Sequence, residues 1–272
     1  MSTGLSRKVL LIVEGENLEP RFFSRLAGLF DLDVEIVSLR ANIYRLYRKL
    51  KEYGFDYSVR VALTELIGTE EVAEILRQRF AYTYLVFDCD AQDSGLPSKG
   101  DERNSLEKTV AGNYRRLTEM VGYFDNETDP DRGKLYVNYP MMESYRDCDS
   151  FFDEGYAGNV IQINESLGRA YKQRVGQRKM ASYRIDKLDR GAVSQLMRMQ
   201  LFKLAKVLGR GWQAVGFDEY LRLRDQRQIL SAQDELRKQG LMSVLNTSIL
   251  LPVDYFEDRN DFYKRVSRGV VV

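Results

Sequence analysis

Two short apolar runs, each ending abruptly in acid, restrict this chain more than any other feature. Val9 to Val13 gives way to Glu14 and Gly15, and Tyr82 to Phe87 gives way to Asp88, Cys89 and Asp90. Unbroken runs of five or six β-forming residues lack the alternation of a half-solvated strand and read as strands buried on both faces of a parallel sheet. Parallel neighbours need crossover connections, usually helices. The intervening sequence supplies them. Leu18, Phe22, Phe23, Leu26 and Leu29 recur at helical spacing, with Pro20 suited to a first turn. Val34 to Leu39 reads as a strand, Ile43 to Tyr53 as a helix, Tyr57 to Leu63 as a further extended segment and Thr69 to Phe80 as a helix. A polar loop from Ala91 to Gly100 leads into an amphipathic helix from about Asp101 to Tyr123. Lys134 to Tyr139 is a last strand, ended by Pro140.

This alternation predicts an α/β fold with a mainly parallel sheet over residues 1–150. Beyond them the strand signal fades. Val193 to Leu208 and Asp218 to Gln239 read as helices, so residues 151–272 are expected to form a helical appendage, with a weak boundary at Gly155 to Gly158.

Composition narrows the chemistry. The chain of 272 residues contains no histidine, which removes the usual general base, the usual transition-metal ligand and every histidine-dependent triad. Two cysteines, Cys89 and Cys148, build neither a disulfide framework nor a thiolate zinc site. Catalysis on this chain would have to use carboxylates, lysines, hydroxyls or hard cations with oxygen ligands, such as Mg2+ or Mn2+. No apolar run approaches the roughly 20 residues of a membrane span. With no secretory h-region at its start, the chain is expected in the cytoplasm.

In a parallel sheet, ligands bind beyond the carboxyl ends of the strands. Three strand ends here carry acids: Glu14, the pair Asp88 and Asp90, and Glu143 just past Tyr139-Pro140. Asp88 and Asp90 share a side because the strand period is two. Taken singly, such acids often cap helices or solvate loops. Carboxylates converging on one edge call for a divalent cation to offset their repulsion.

Leu10-Leu11-Ile12-Val13-Glu14-Gly15, followed by Val86-Phe87-Asp88-Cys89-Asp90, resembles the Toprim domain, a Rossmann-like fold of topoisomerases, primases and several nucleases. The resemblance implies that Glu14 acts in acid/base chemistry or metal binding and that Asp88 and Asp90 bind metal. Glu14-Gly15-Glu16-Asn17-Leu18-Glu19-Pro20 is similar to the extended start of the overcoming-lysogenization-defect nucleases, which adds Glu19 to the metal site. Asn138-Tyr139-Pro140-Met141-Met142-Glu143 resembles their third-strand motif and makes Glu143 a ligand for a second metal. With no P-loop and a helical tail, the chain looks most like the Toprim nuclease effectors of the PARIS type of anti-phage system. That implies a Mg2+-dependent (or Mn2+-dependent) endonuclease cleaving transfer RNA and restrained by a partner ATPase. Other readings are an RNA-maturation or DNA nuclease outside defence, and a non-catalytic regulator that binds metal or nucleic acid.

Net charge is +1, yet between Arg169 and Arg210 about twelve lysines and arginines face only Asp186 and Asp189. With Tyr171, Tyr183 and Trp212 in or beside it, this stretch suits single-stranded nucleic acid, RNA before DNA, although a solvated helical surface has the same composition. Lys172, Arg178 and Lys179 are the candidates to neutralise a scissile phosphate. Met197, Leu201, Leu204, Leu208, Leu221 and Leu223 either pack on the sheet's helices or offer a docking face, for an ATPase partner or for a second copy in a homodimer.

Overall fold

The structure, a computed structural model, describes residues 7–92, 102–166, 168–210 and 217–255. In chain order its elements are β1 (Val9–Val13), α1 (Leu18–Phe30), β2 (Val34–Ser38), α2 (Ile43–Glu52), α3 (Val59–Ile67), α4 (Glu70–Leu76), β3 (Tyr82–Asp88), α5 (Glu102–Tyr123), β4 (Asp125–Asn126) and β5 (Gly133–Asn138). These are followed by β6 (Val160–Gln162), α6 (Gly168–Gly176), α7 (Arg190–Val207), α8 (Phe217–Leu223), α9 (Gln226–Lys238), β7 (Leu241–Ser243) and α10 (Leu251–Tyr255). The fold is α/β. Its sheet runs in the order β2-β1-β3-β5-β4, parallel throughout except for the antiparallel edge pair of β4 with β5. Every residue of β1 is buried, as an uninterrupted apolar run in a sheet covered on both faces must be.

One extended segment in the sequence reading is a helix. Tyr57 to Leu63 has the β-branched and aromatic residues of a strand, but Ser58 accepts the Arg60 N–H as an N-cap and Val59 N–H is taken by Asp131 O at 2.7 Å. Capping and this tertiary bond override the local β preference. The loop expected from Ala91 to Gly100 lies, from residue 93 onward, outside the described residues.

The strand signal does not end at residue 150. β6 and β7 form an antiparallel pair whose register joins Val160 to Ser243 and Gln162 to Leu241. The region beyond is bound into the sheet at several points. Tyr139 and Leu245 exchange backbone hydrogen bonds of 2.8 and 2.9 Å, Thr247 Oγ1 donates to Val137 O, and Ser248 N–H donates to the Asn138 side chain. Asp254, fully enclosed, accepts from Lys134, Tyr136, Tyr220 and Arg224. Burial alone would raise its pKa. The cations Lys134 and Arg224 outweigh that and hold it down to about 2. Met197, Leu201, Leu204 and Leu223 are buried within the core and Leu208 packs against it, whereas Leu221 is exposed. Among the described residues, no helix is long and apolar enough to cross a membrane.

Candidate metal centre at the carboxyl edge of the sheet

From β1 the chain crosses to β2 on one side and later to β3 on the other, so the topological switch point lies between β1 and β3. Glu14 leaves β1 at that point, and Asp88 ends β3 beside it. Asp88 N–H donates to Glu14 Oε2 at 3.0 Å, which joins the two strand exits directly. The exit of β2 is stitched to the same place: Ser38 Oγ donates to Gly15 O at 2.7 Å and Arg40 N–H to Glu14 O at 3.0 Å.

Gly15 makes the tight entry into α1 workable. A Cβ at this position would stand 2.5 Å from Glu19 Oε2, so the buried Glu19 carboxylate fills the space over Gly15 and a larger residue would push it aside. Glu19 therefore folds back over the β1 exit. Burial raises its pKa, backbone N–H groups of Glu19 and Gly15 oppose that, Glu143 adds to it and Lys172 offsets it.

The Asp88–Cys89–Asp90 turn is held mainly through its middle residue. Cys89 is wholly buried, and its N–H lies against both Asn138 O (2.9 Å) and Pro140 O (3.0 Å). Its carbonyl accepts from the Tyr44 hydroxyl, which reaches over from α2. Asn113 of α5 donates to the buried Ala91 O at 2.8 Å. Cys89 thus packs inward while the flanking aspartates face the edge, and its thiol, raised far above the ordinary range by burial, is no nucleophile. Asp90 takes a positive φ of 30°, which non-glycine residues seldom adopt.

Glu143 lies in the turn Met142–Arg146 that follows β5, and its carboxylate bonds the Lys172 ammonium of α6 at 3.1 Å. Asp88 registers all of these groups. Its pKa is raised well above the carboxylate range, first by burial and then by Glu14, Asp90, Glu19 and Glu143 in that order. Partial burial works against the Lys172 charge, but Glu143, Asp88 and Asp90 outweigh it and raise its pKa. The other four predicted acids and one predicted lysine thus all interact electrostatically with Asp88.

Arg178 and Lys179 are placed differently from the sequence reading. Asp147, fully buried four residues after Glu143, accepts from Arg178 Nε at 2.8 Å, Arg174 Nε at 3.2 Å, Tyr171 Oη at 3.2 Å and Asn159 Nδ2 at 3.0 Å. Arg178 and Tyr171 thus belong to a clamp that ties the Glu143 turn to α6. Lys179 is exposed, and its backbone N–H binds Asp149. Tyr183 packs edge-on against Phe151 at 4.9 Å, and Trp212 lies outside the described residues. Tyr44, in no motif of the sequence reading, is buried at the site with its hydroxyl on Cys89 O.

The donor set consists of carboxylate oxygens alone, the chemistry of a hard divalent cation, and the raised pKa values of Asp88 and Glu19 show charges that a cation would offset. By chemistry these donors suit such an ion, although among the described residues no three acids stand close enough together to hold one. Glu14 Oε2 is engaged by the Asp88 N–H, and Glu143 Oε1 by Lys172. No protein-family model, curated protein or solved structure matches the chain.

Proposed function

We propose that this chain is a Toprim-type, Mg2+-dependent (or Mn2+-dependent) nuclease acting in the cytoplasm. The observation that carries the reading is the hydrogen bond that joins the Glu14 carboxylate to the Asp88 exit at the topological switch point, with Glu19, Asp90 and Glu143 acting electrostatically on Asp88 and Lys172 bonded to Glu143. Glu14, Asp88 and Asp90 would hold the cation, with Glu19 and Glu143 completing the donors. Bound there, Mg2+ would supply a water of lowered pKa and positive charge for a phosphodiester oxygen. Glu14, which accepts the Asp88 N–H, would orient and deprotonate water. Lys172, bonded among the described residues to Glu143, would turn its ammonium to the phosphate as negative charge grows.

RNA is the preferred substrate in this reading, supported by the basic stretch that contains Lys172, and transfer RNA by the resemblance alone. Restraint by an ATPase partner, a defence role and homodimer formation also rest on the resemblance. Incubating the purified protein with transfer RNA, single-stranded RNA and plasmid DNA, with Mg2+ or with a chelator, tests the proposal. Mg2+-dependent loss of RNA that disappears in Glu14→Ala is the expected result. A folded protein that binds RNA or Mg2+ and cleaves nothing would replace the nuclease with a non-catalytic regulator.

A further inference from the structure

We propose that Tyr44 is a positioning residue of the acidic site, locking the peptide between Cys89 and Asp90 so that the Asp90 carboxylate faces Glu14. The inference rests on the reading of this edge as a divalent-cation centre and adds a residue that no acid motif contains.

Tyr44 lies in the first turn of α2, the helix that follows β2, yet its hydroxyl donates to the carbonyl at the end of β3. The bond thus ties the crossover that follows β2 to the exit of β3, two strands away in the sheet order. Its side chain is buried, and its hydroxyl is close enough to Asp90 and Glu14 to feel both charges.

The bonded atom explains the consequence. Cys89 O belongs to the peptide unit whose other end is Asp90 N, so its direction and the φ of Asp90 describe one rotation. That φ is +30°, in a sparsely populated region for a residue with a Cβ. Left alone, the backbone would relax Asp90 toward negative φ, and rotation about its N–Cα bond would re-aim the Cβ and the carboxylate. Cys89 N–H is anchored from the β5 side by Asn138 O and Pro140 O, which fixes the preceding peptide and leaves this one to Tyr44. Because Cys89 is wholly enclosed, its carbonyl has no water to turn to if the hydroxyl is removed.

Tyr44→Phe removes the hydroxyl and keeps the ring. Mn2+ affinity measured by calorimetry on the full chain is expected to weaken about 10- to 100-fold, the usual cost of losing an outer partner of a metal ligand, with a thermal midpoint within a few degrees of the parent. Tyr47→Phe, which loses a hydroxyl bonded to Glu119 away from the site, should bind Mn2+ like the parent. In an Asp90→Asn background Tyr44→Phe should cost no further affinity, since Tyr44 acts through Asp90. Parent-like Mn2+ binding by Tyr44→Phe would overturn the proposal and leave the cation centre standing. Additive losses with Asp90→Asn, or a Tyr44→Phe chain that no longer folds, would overturn it as well, by making the hydroxyl a general support of the core. A folded parent that binds neither Mn2+ nor Mg2+ would instead remove the cation centre itself.

Discussion

Glu14 and Asp88 are hydrogen-bonded across the switch point of the sheet, with the Asp88 backbone N–H donating to the Glu14 carboxylate at 3.0 Å. One side chain thus serves two purposes, as structural acceptor and as charge. Glu14→Gln separates them, because the amide oxygen can still accept the N–H while the charge is gone. Its urea midpoint is expected to match the parent, while Mg2+-dependent cleavage falls by at least about 100-fold. Glu14→Ala should lose the same activity and also roughly 1 kcal/mol of stability, from the orphaned N–H. Cleavage by Glu14→Gln at near-parent rate would remove Glu14 from the chemistry.

Lys172 holds Glu143 at 3.1 Å and raises no barrier to leaving it, being largely exposed. Lys172→Met should lower turnover about 100-fold at saturating metal, the scale for losing one charge-stabilising donor. Mn2+ affinity should be retained or tightened, since Glu143 is relieved of a competitor. Unchanged turnover with weakened metal binding would reverse the assignment.

How much of this could be read from the chain depended on range. Val9 to Val13, Tyr82 to Phe87 and the acids after them were legible because burial on both faces leaves an unbroken apolar run that stops at the edge. α3 was misread because Tyr57 to Leu63 carries β-formers whose helical state is set by Ser58 and by Asp131, more than 70 residues away. β6 and β7 are too short for a periodicity, and their pairing spans some 80 residues. Arg178 looked like part of a phosphate-binding run because composition shows the cations and hides the single buried acid, Asp147, that claims two of them.

Asp147 gives a stability prediction with its own signature. Asp147→Asn leaves Arg174 and Arg178 facing a neutral group, and because both are about one third exposed the cost falls below that of a fully buried pair, about 2 kcal/mol. Urea denaturation checks this. Since the clamp ties α6 to the Glu143 turn, activity should fall in the same variant but not fall further when Lys172→Met is already present.

Lys203 makes stability depend on pH in the alkaline direction. Its ammonium, buried against Ala157 O and Asn159 O, has its pKa lowered by burial, and further by Lys206, to about 7 from 10.5. Between those values the unfolded chain holds a proton that the folded chain has released. Stability therefore rises with pH across that window, by up to about 1.4 kcal/mol per pH unit, and the penalty is constant below it. Urea midpoints of the parent and Lys203→Met at pH 6.5 and 9.5 should differ in this sense, with the parent gaining on the variant as pH rises.

The bonds from Asn246, Thr247 and Ser248 to Met142, Val137 and Asn138 set the moment at which the acidic edge is finished. Synthesis delivers the N-terminal strands first, and they have every acid of the site by residue 143. The backbone that leads to Glu143 gains these partners only about a hundred residues later. A chain still growing on the ribosome thus carries the acids of the proposed site without the frame that supports the last of them. On the proposed reading as a nuclease, synthesis through residue 248 would act as a safety catch set by the order of translation.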